Sequence, residues 1–244
     1  CPCPAELQTP VLCRTFEAPF HPCGIRRMQY RTWKRARTTF RNASLRIRRD
    51  EPGVKTKKKM AIIKKVRGKS PVWGRGCWFA DNAAILGDVT MGEDCNIWFG
   101  AVVRGDVHYI KMGNKVNIQD NATLHTTYQK HPLNIGNHVS IAHNAVVHGC
   151  TLGDYTLVGM GAVVMDGAVV EPHSLVAAGA VVTQGTVVPS GTIYAGNPAR
   201  KLKDITPEQL RDIVERISND YAMYASWYTE ESPEEEKNNT PSEQ

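Results

Sequence analysis

The sequence predicts an all-β solenoid, a parallel β-helix, on three observations. Aliphatic residues recur at every sixth position: Ile85, Met91, Ile97 and Val103; Met112, Ile118 and Leu124; Ile135, Ile141 and Val147; then Leu152, Val158, Val164, Val170, Val176, Val182 and Val188. Glycine follows several of them, at Gly92, Gly113, Gly136, Gly153 and Gly159. The period slips three times only, by plus three between Val103 and Met112, plus five between Leu124 and Ile135, and minus one between Val147 and Leu152. A six-residue period places one short strand and one corner in each hexad. Three hexads close a turn, so core positions three hexads apart stack at the ordinary strand spacing of about 4.8 Å. About nineteen hexads between Phe79 and Tyr194 make roughly six turns, a tube about 29 Å long. Its inside is a set of Val, Ile, Leu and Ala ladders in which each coil buries its neighbours.

The same count says where polar residues point. The first two slips read as loops bulging from corners. Across them Val103, Leu124 and Val147 stand three hexads apart, so the residues that follow, Arg104, His125 and His148, form one column on one face. Ile118 and Ile141 are related in the same way, which puts Asp120 and His143 in a second column on another face. A metal needs ligands about 2 Å away, and catalytic zinc takes three protein ligands and keeps one position open. His125 and His148 can converge from one column. His143, a face away, is expected to come from a neighbouring subunit. Threefold packing would set each His125/His148 column against a neighbour's Asp120/His143 column, with Arg104 opposite Asp120 as an interfacial ion pair. Polar residues on solvated strand faces would explain each of these alone, but not their registration in two columns.

The stretches Ala101-Val-Val-Arg-Gly-Asp106, Asn117-Ile-Gln-Asp120, His125, His143-Asn-Ala-Val-Val-His148 and Tyr194-Ala-Gly-Asn-Pro-Ala-Arg200 resemble the gamma-class carbonic anhydrases and their close relatives, over about Lys69 to Trp227. The resemblance implies a left-handed parallel β-helix, a homotrimer and a metal at each of three subunit interfaces. Zinc is the expected metal; iron(II) and cobalt also suit imidazole ligands. By the resemblance the metal ligands fall on His125, His143 and His148, the interfacial pair on Arg104 and Asp120, the pocket amides on Asn117 and Gln119, and a further polar position on Asp106. It implies reversible hydration of carbon dioxide to bicarbonate by a metal-bound hydroxide. Three neutral imidazoles leave the metal its double charge, so bound water ionises near about pH 7. Gln119, with Asn117, would hydrogen-bond the hydroxide or the substrate. Two features depart from the archetype. Val107 stands after Asp106 where the archetype has glutamate, and His125-Thr-Thr-Tyr-Gln-Lys-His-Pro132 lacks the archetype's proton-relaying glutamate. Tyr128, His131 or buffer would carry the proton instead. Two alternatives use the same site: a thioester hydrolase and a non-catalytic, metal-bound trimeric scaffold. Hexapeptide acyltransferases, which generally use one histidine as a base, match this ligand set less well.

The solenoid is expected over 60–204. Thr206-Pro-Glu-Gln209 is a capping box with proline at the first helical position. Leu210, Ile213, Val214, Ile217 and Tyr221 then recur at helical spacing, which predicts a C-terminal α-helix over 205–228 packed along the prism with that stripe inward. Residues 229–244 read as an acidic, disordered tail. Residues 1–59 carry fifteen Lys/Arg against four Asp/Glu, while the rest carries fifteen against twenty, so the +6 net charge hides a basic arm. That arm is expected outside the solenoid, disordered or not part of the native protein. A transit peptide, a basic arm for nucleic acid or anionic membrane, and upstream sequence ahead of Met60 compete for it; the last is preferred, so no nucleic-acid partner is expected. Cys1-Pro-Cys3 has no second pair at zinc spacing. There is no apolar run of eighteen residues and hence no predicted membrane-spanning helix. Cys77, Cys95 and Cys150 fit reduced thiols of a cytoplasmic protein, or an organellar one if 1–59 is a transit peptide. Cys150 reads as a small core residue at the third slip, and His108, His138 and His173 as surface.

Overall fold

The computed structural model describes residues 60–230; the expectations for 1–59 and for the tail beyond Glu230 lie outside the described residues. The chain winds into a parallel β-helix of three faces. One face stacks Ile62–Lys64, the first half of Ala84–Met91, the first half of Val102–Met112, Thr123–His125, Val146–His148, Val163–Val164 and Val181–Val182. The second stacks Val72–Trp73, the later halves of the two long strands, Leu133–Ile135, Thr151–Leu152, Val169–Val170 and Val187–Val188. The third runs from Trp78–Phe79 through Asn96–Ile97, Asn117–Ile118, Ser140–Ile141, Leu157–Val158 and Leu175–Val176 to Thr192–Ala195.

The periodic positions face inward as predicted. Ile85, Val103, Leu124, Val147, Val164 and Val182 are completely buried on the first face, and Ile97, Ile118, Ile141, Val158 and Val176 on the third. Each such side chain contributes about 1.5–3 kcal/mol by leaving water. Asparagine turns the corner after each second-column residue: Asn121 (φ 58°) follows Asp120 and Asn144 (φ 59°) follows His143. Asparagine is among the few L-residues that visit this left-handed conformation routinely.

Among the described residues the coils number seven, not the expected six. The extra one is the first, from Ile62 to Phe79, and the repeat misses it for a physical reason. Ile62, Ile63, Val72 and Trp73 are exposed, so the strands of this coil on the first two faces carry no inward ladder; Ala61, Cys77, Trp78 and Phe79 pack against the core, and parallel backbone pairing holds the coil to the second. The first slip is also not a corner loop. Val102–Met112 is one continuous strand that rounds the corner and bulges, its register shifting opposite Gly87 and Val89. The second slip is a loop, closed by a bridge between Thr127 and His131. At the third slip Cys150 is buried, as expected. Past the last coil, Arg200–Asp204 folds back antiparallel on Thr192–Ala195, placing charged residues on the edge that would otherwise template aggregation.

The capping box forms: Gln209 N–H donates to Thr206 Oγ1 (3.1 Å) and Thr206 N–H to Gln209 Oε1 (3.2 Å), with Pro207 in the first turn. The helix then departs from prediction. A π-helical stretch, Leu210–Glu215, separates the α-helical Pro207–Gln209 from Arg216–Glu230. Its wider turn rotates the stripe, so Leu210, Ile213 and Ile217 are only half-buried and the inward line becomes Val214, Ser218, Tyr221 and Ala225. Thr229 and Glu230 belong to the helix rather than to a tail, because the Thr229 hydroxyl donates to the Ser226 carbonyl (2.7 Å) and satisfies the last turn. Arg216–Glu230 lies on the third face, against Asn96–Ile97 and Asn117–Ile118. Among the described residues no helix is long and apolar enough to cross a membrane.

Candidate metal centre

Parallel pairing delivers the first column. Leu124 pairs with Val147 and His125 with His148, while Val103 pairs with Leu124 one coil earlier, so Arg104 precedes the two histidines in the stack. The rings come together: His125 Nδ1 lies 3.0 Å from His148 Nε2. Each ring is held from its other side by a carboxylate. His125 Nε2 faces Asp106 Oδ1 at 3.1 Å, and His148 Nδ1 faces Asp166 Oδ1 at 2.7 Å. A carboxylate accepts from an N–H, so these contacts place the protons on His125 Nε2 and His148 Nδ1. The two nitrogens left bare are the two that face each other.

The surroundings favour that state. Burial lowers the His125 pKa, aided by Arg104 and His148, against Asp106, which raises it; the imidazole is therefore neutral at pH 7. Asp106 is pushed up by burial, but hydrogen bonds from Arg104 and His125 outweigh this and hold it below the ordinary carboxylate range. Asp166 behaves alike: burial raises it, and hydrogen bonds from His148 and Thr127 bring it lower. Thr127 Oγ1 donates to Asp166 Oδ2 at 2.8 Å, so the loop of the second slip helps aim this carboxylate. Gly149 makes the approach possible, since a Cβ there would collide with the Asp166 carboxylate.

The second column stands on the third face. Ile118 pairs with Ile141, and two residues on, Asp120 Oδ2 lies 2.8 Å from His143 Nδ1. The Tyr221 hydroxyl, from the helix, lies 3.2 Å from His143 Nε2. Burial, with Asp120 nearby, pushes the Tyr221 pKa up to about 12, so it stays protonated and donates. Gln119 Nε2 donates to Asn117 Oδ1 (3.0 Å) and Asn117 Nδ2 to Ser140 Oγ (2.7 Å), both amides being buried. Trp98, Tyr221, Tyr224, Trp227 and Tyr228 line a cavity of about 230 Å³ beside Asp120.

Within one chain, then, the predicted residues form two groups. Arg104, Asp106, His125 and His148 meet on the first face; Asn117, Gln119, Asp120 and His143 share the third. Among the described residues no three metal-binding side chains converge. Arg104 Nη1 pairs with its own chain's Asp106 (2.7 Å) rather than standing free for an interfacial Asp120. Sequence reasoning missed Asp166 and Tyr221. It also took His138 and His173 for plain surface, whereas they stack on Tyr155 (centroids 4.5 and 5.4 Å) and His138 Nδ1 meets Ser218 under the helix.

Comparison with known proteins agrees with this architecture. Residues 149–184 match the family described as bacterial transferase hexapeptide (six repeats). A carbonic anhydrase of Geobacillus kaustophilus is 39% identical over 167 residues, covering 68% of this chain and 91% of that protein. Gamma carbonic anhydrase 1, mitochondrial, of Arabidopsis thaliana is 42% identical over 156 residues, covering 62% of this chain; the chain spans 57% of that relative's length. The solved structure of a hexapeptide transferase family protein from Anaplasma phagocytophilum superposes with a TM-score of 0.64 at 39% identity, over 68% of this chain and 98% of that one. With its seven-coil solenoid and its match along nearly the whole of the bacterial anhydrase, the chain belongs to the gamma carbonic anhydrase-like family of left-handed hexapeptide-repeat β-helices.

Proposed function

We propose that this protein hydrates carbon dioxide reversibly to bicarbonate at a metal site assembled between subunits of a homotrimer. The supporting observation is the His125–His148 pair. Two imidazoles, each locked by a carboxylate, turn their remaining nitrogens on one another at 3.0 Å. That arrangement is repulsive unless a proton or a cation lies between them. Two ligand nitrogens of a tetrahedral zinc stand about 3.3 Å apart, so the donor set fits such an ion with little adjustment. His125 and His148 would hold it, with His143 of a neighbouring subunit as the third ligand, and zinc, iron(II) or cobalt suits three imidazoles. When bound, the metal supplies a Lewis acid that lets water ionise near neutral pH.

The chain's own groups do the rest. Asp106 and Asp166 fix ring tautomer and orientation, the role outer-shell carboxylates play at metal sites. His143 already has Nδ1 on Asp120, which leaves Nε2 as its ligand atom; the Tyr221 hydroxyl there would turn to the bound substrate or water. Gln119 and Asn117 lie on the same face as His143 and would orient substrate from that side. For the interfacial ion pair, Arg104 would exchange Asp106 for Asp120 of the neighbour. Proton export falls to Tyr128, which is exposed, or to His131, whose Nε2 is buried without a partner among the described residues.

A scaffold role is favoured by one observation, the loop after His125 that lacks a carboxylate. Stopped-flow hydration of carbon dioxide by zinc- and iron(II)-loaded protein separates the two readings. Metal-dependent turnover absent from His125→Ala is the expected result. Full metal occupancy without turnover would overturn the anhydrase reading in favour of a scaffold or a thioester hydrolase.

A further inference from the structure

Two thiols stack inside the N-terminal end of the tube, away from the histidine columns. Cys77 and Cys95 immediately precede the paired strands Trp78–Phe79 and Asn96–Ile97, and Trp78 N–H donates to the Cys95 carbonyl (2.9 Å). The next coils place Val116 and Val139 at the same position, both in the core. Each thiol donates to a corner carbonyl: Cys77 Sγ to Gly92 O and Cys95 Sγ to Gly113 O, both at 3.2 Å. Cys95 is completely buried, whereas Cys77, on the first coil, is partly exposed. Adjacent strands stand about 4.7–4.9 Å apart, inside the roughly 4.4–6.8 Å Cα range a disulfide requires.

The two sulfurs differ in chemistry. The neighbouring Cys95, opposed by burial, brings the Cys77 pKa down to about 7. The Cys77 neighbour and burial push Cys95 up. Cys77, partly exposed, is thus the more readily ionised sulfur, and Cys95, stacked in the next coil, is the thiol placed to resolve its oxidised form. Cys150 lacks this: it is buried and its thiol is pushed up by burial.

We propose that Cys77 and Cys95 form a peroxide-responsive pair that closes to a disulfide joining the first coil to the second. The Cys77 thiolate attacks hydrogen peroxide; an S–O bond forms, the O–O bond breaks, and the departing hydroxide takes a proton to become water. Cys95 then attacks the Cys77 sulfenic acid through sulfur; the S–S bond forms, the S–O bond breaks, and the proton released by Cys95 leaves with the hydroxyl as a second water. Two thiols lose two electrons and one peroxide becomes two waters. The staple acts on the coil whose strands on the first two faces are exposed. That coil also supplies Val66, Arg67 and Lys69 to a cavity of about 320 Å³ that Asp106 lines, so oxidation steadies one wall of it.

The test is peptide mapping of the full-length protein after equimolar hydrogen peroxide, with free thiols alkylated under denaturing conditions. The expected product has lost two hydrogens, links Cys77 to Cys95, and reverts with dithiothreitol. Cys95→Ser should instead accumulate a dimedone-reactive sulfenic acid at Cys77, and Cys77→Ser should leave Cys95 reduced. Full alkylation of both residues after peroxide would overturn the proposal, as would a Cys77 link to any other cysteine.

Discussion

The two histidine columns are built alike and finished differently. On the first face, His125 and His148 are each held by a carboxylate and present their remaining nitrogens only to each other, 3.0 Å apart. On the third face, His143 is held by Asp120 on one nitrogen and meets Tyr221 on the other, beside a buried amide pair and under an aromatic helix. The first column ends with two imidazole nitrogens facing each other; the third ends on a tyrosine hydroxyl. In the proposed site His125 and His148 would hold the metal, and His143 would join them by giving up its Tyr221 contact. Under the proposed interfacial site, the solenoid carries the two halves on separate faces and their union is left to assembly.

Removing the open half has the largest expected effect. His148→Ala should abolish stoichiometric metal binding while leaving the β-helix circular dichroism unchanged; bound metal at wild-type level would remove His148 from the site. Asp166→Asn is next. It keeps the shape but loses the charge that holds His148 Nδ1–H, and metal affinity should fall about 10–100-fold by chelator competition. Unchanged affinity would show that His148 needs no orienting carboxylate. Gly149→Ala should act in the same direction, near the lower end of about tenfold, because its methyl group displaces Asp166. On the sealed half the effect is smaller. Tyr221→Phe removes one hydrogen bond and should cost about 0.5–1.5 kcal/mol of chemical-denaturation stability. A metal-affinity loss as large as that of Asp166→Asn would erase the contrast between the columns.

The smallest effect is acid sensitivity. Asp106 and Asp166 have pKa values held below the ordinary carboxylate value in the fold. Their contribution is complete above the unfolded value of about 3.9 and disappears as pH falls through the depressed ones. Asp166→Asn should therefore flatten the stability profile below about pH 4 and leave it unchanged near neutrality. An altered slope near pH 7 would place the effect elsewhere.

The period made the columns legible: once Leu124 and Val147 are counted as stacked, His125 and His148 must touch, and they do. The capping box at Thr206 was equally local and equally readable. Asp166 was hidden because it reaches back from the coil after His148 across Gly149, a contact between positions one residue out of register. Tyr221 appeared only as a hydrophobic stripe residue; the helix docks it on His143, which no spacing rule specifies. Asp106 as the His125 partner depended on the bulge in Val102–Met112, which periodicity registers only as a slip. The first coil exposes Ile62, Ile63, Val72 and Trp73 and so carries no six-residue signal on two of its faces.

The central claim is that one site draws His125 and His148 from one subunit and His143 from another. The direct measurement is metal content of trimers refolded from equal amounts of His148→Ala and His143→Ala chains, neither of which is expected to bind metal alone. The interfacial arrangement predicts recovery of about one site per mixed trimer, because a single interface then joins an intact His125/His148 column to an intact His143. No recovered metal in mixed trimers would contradict it.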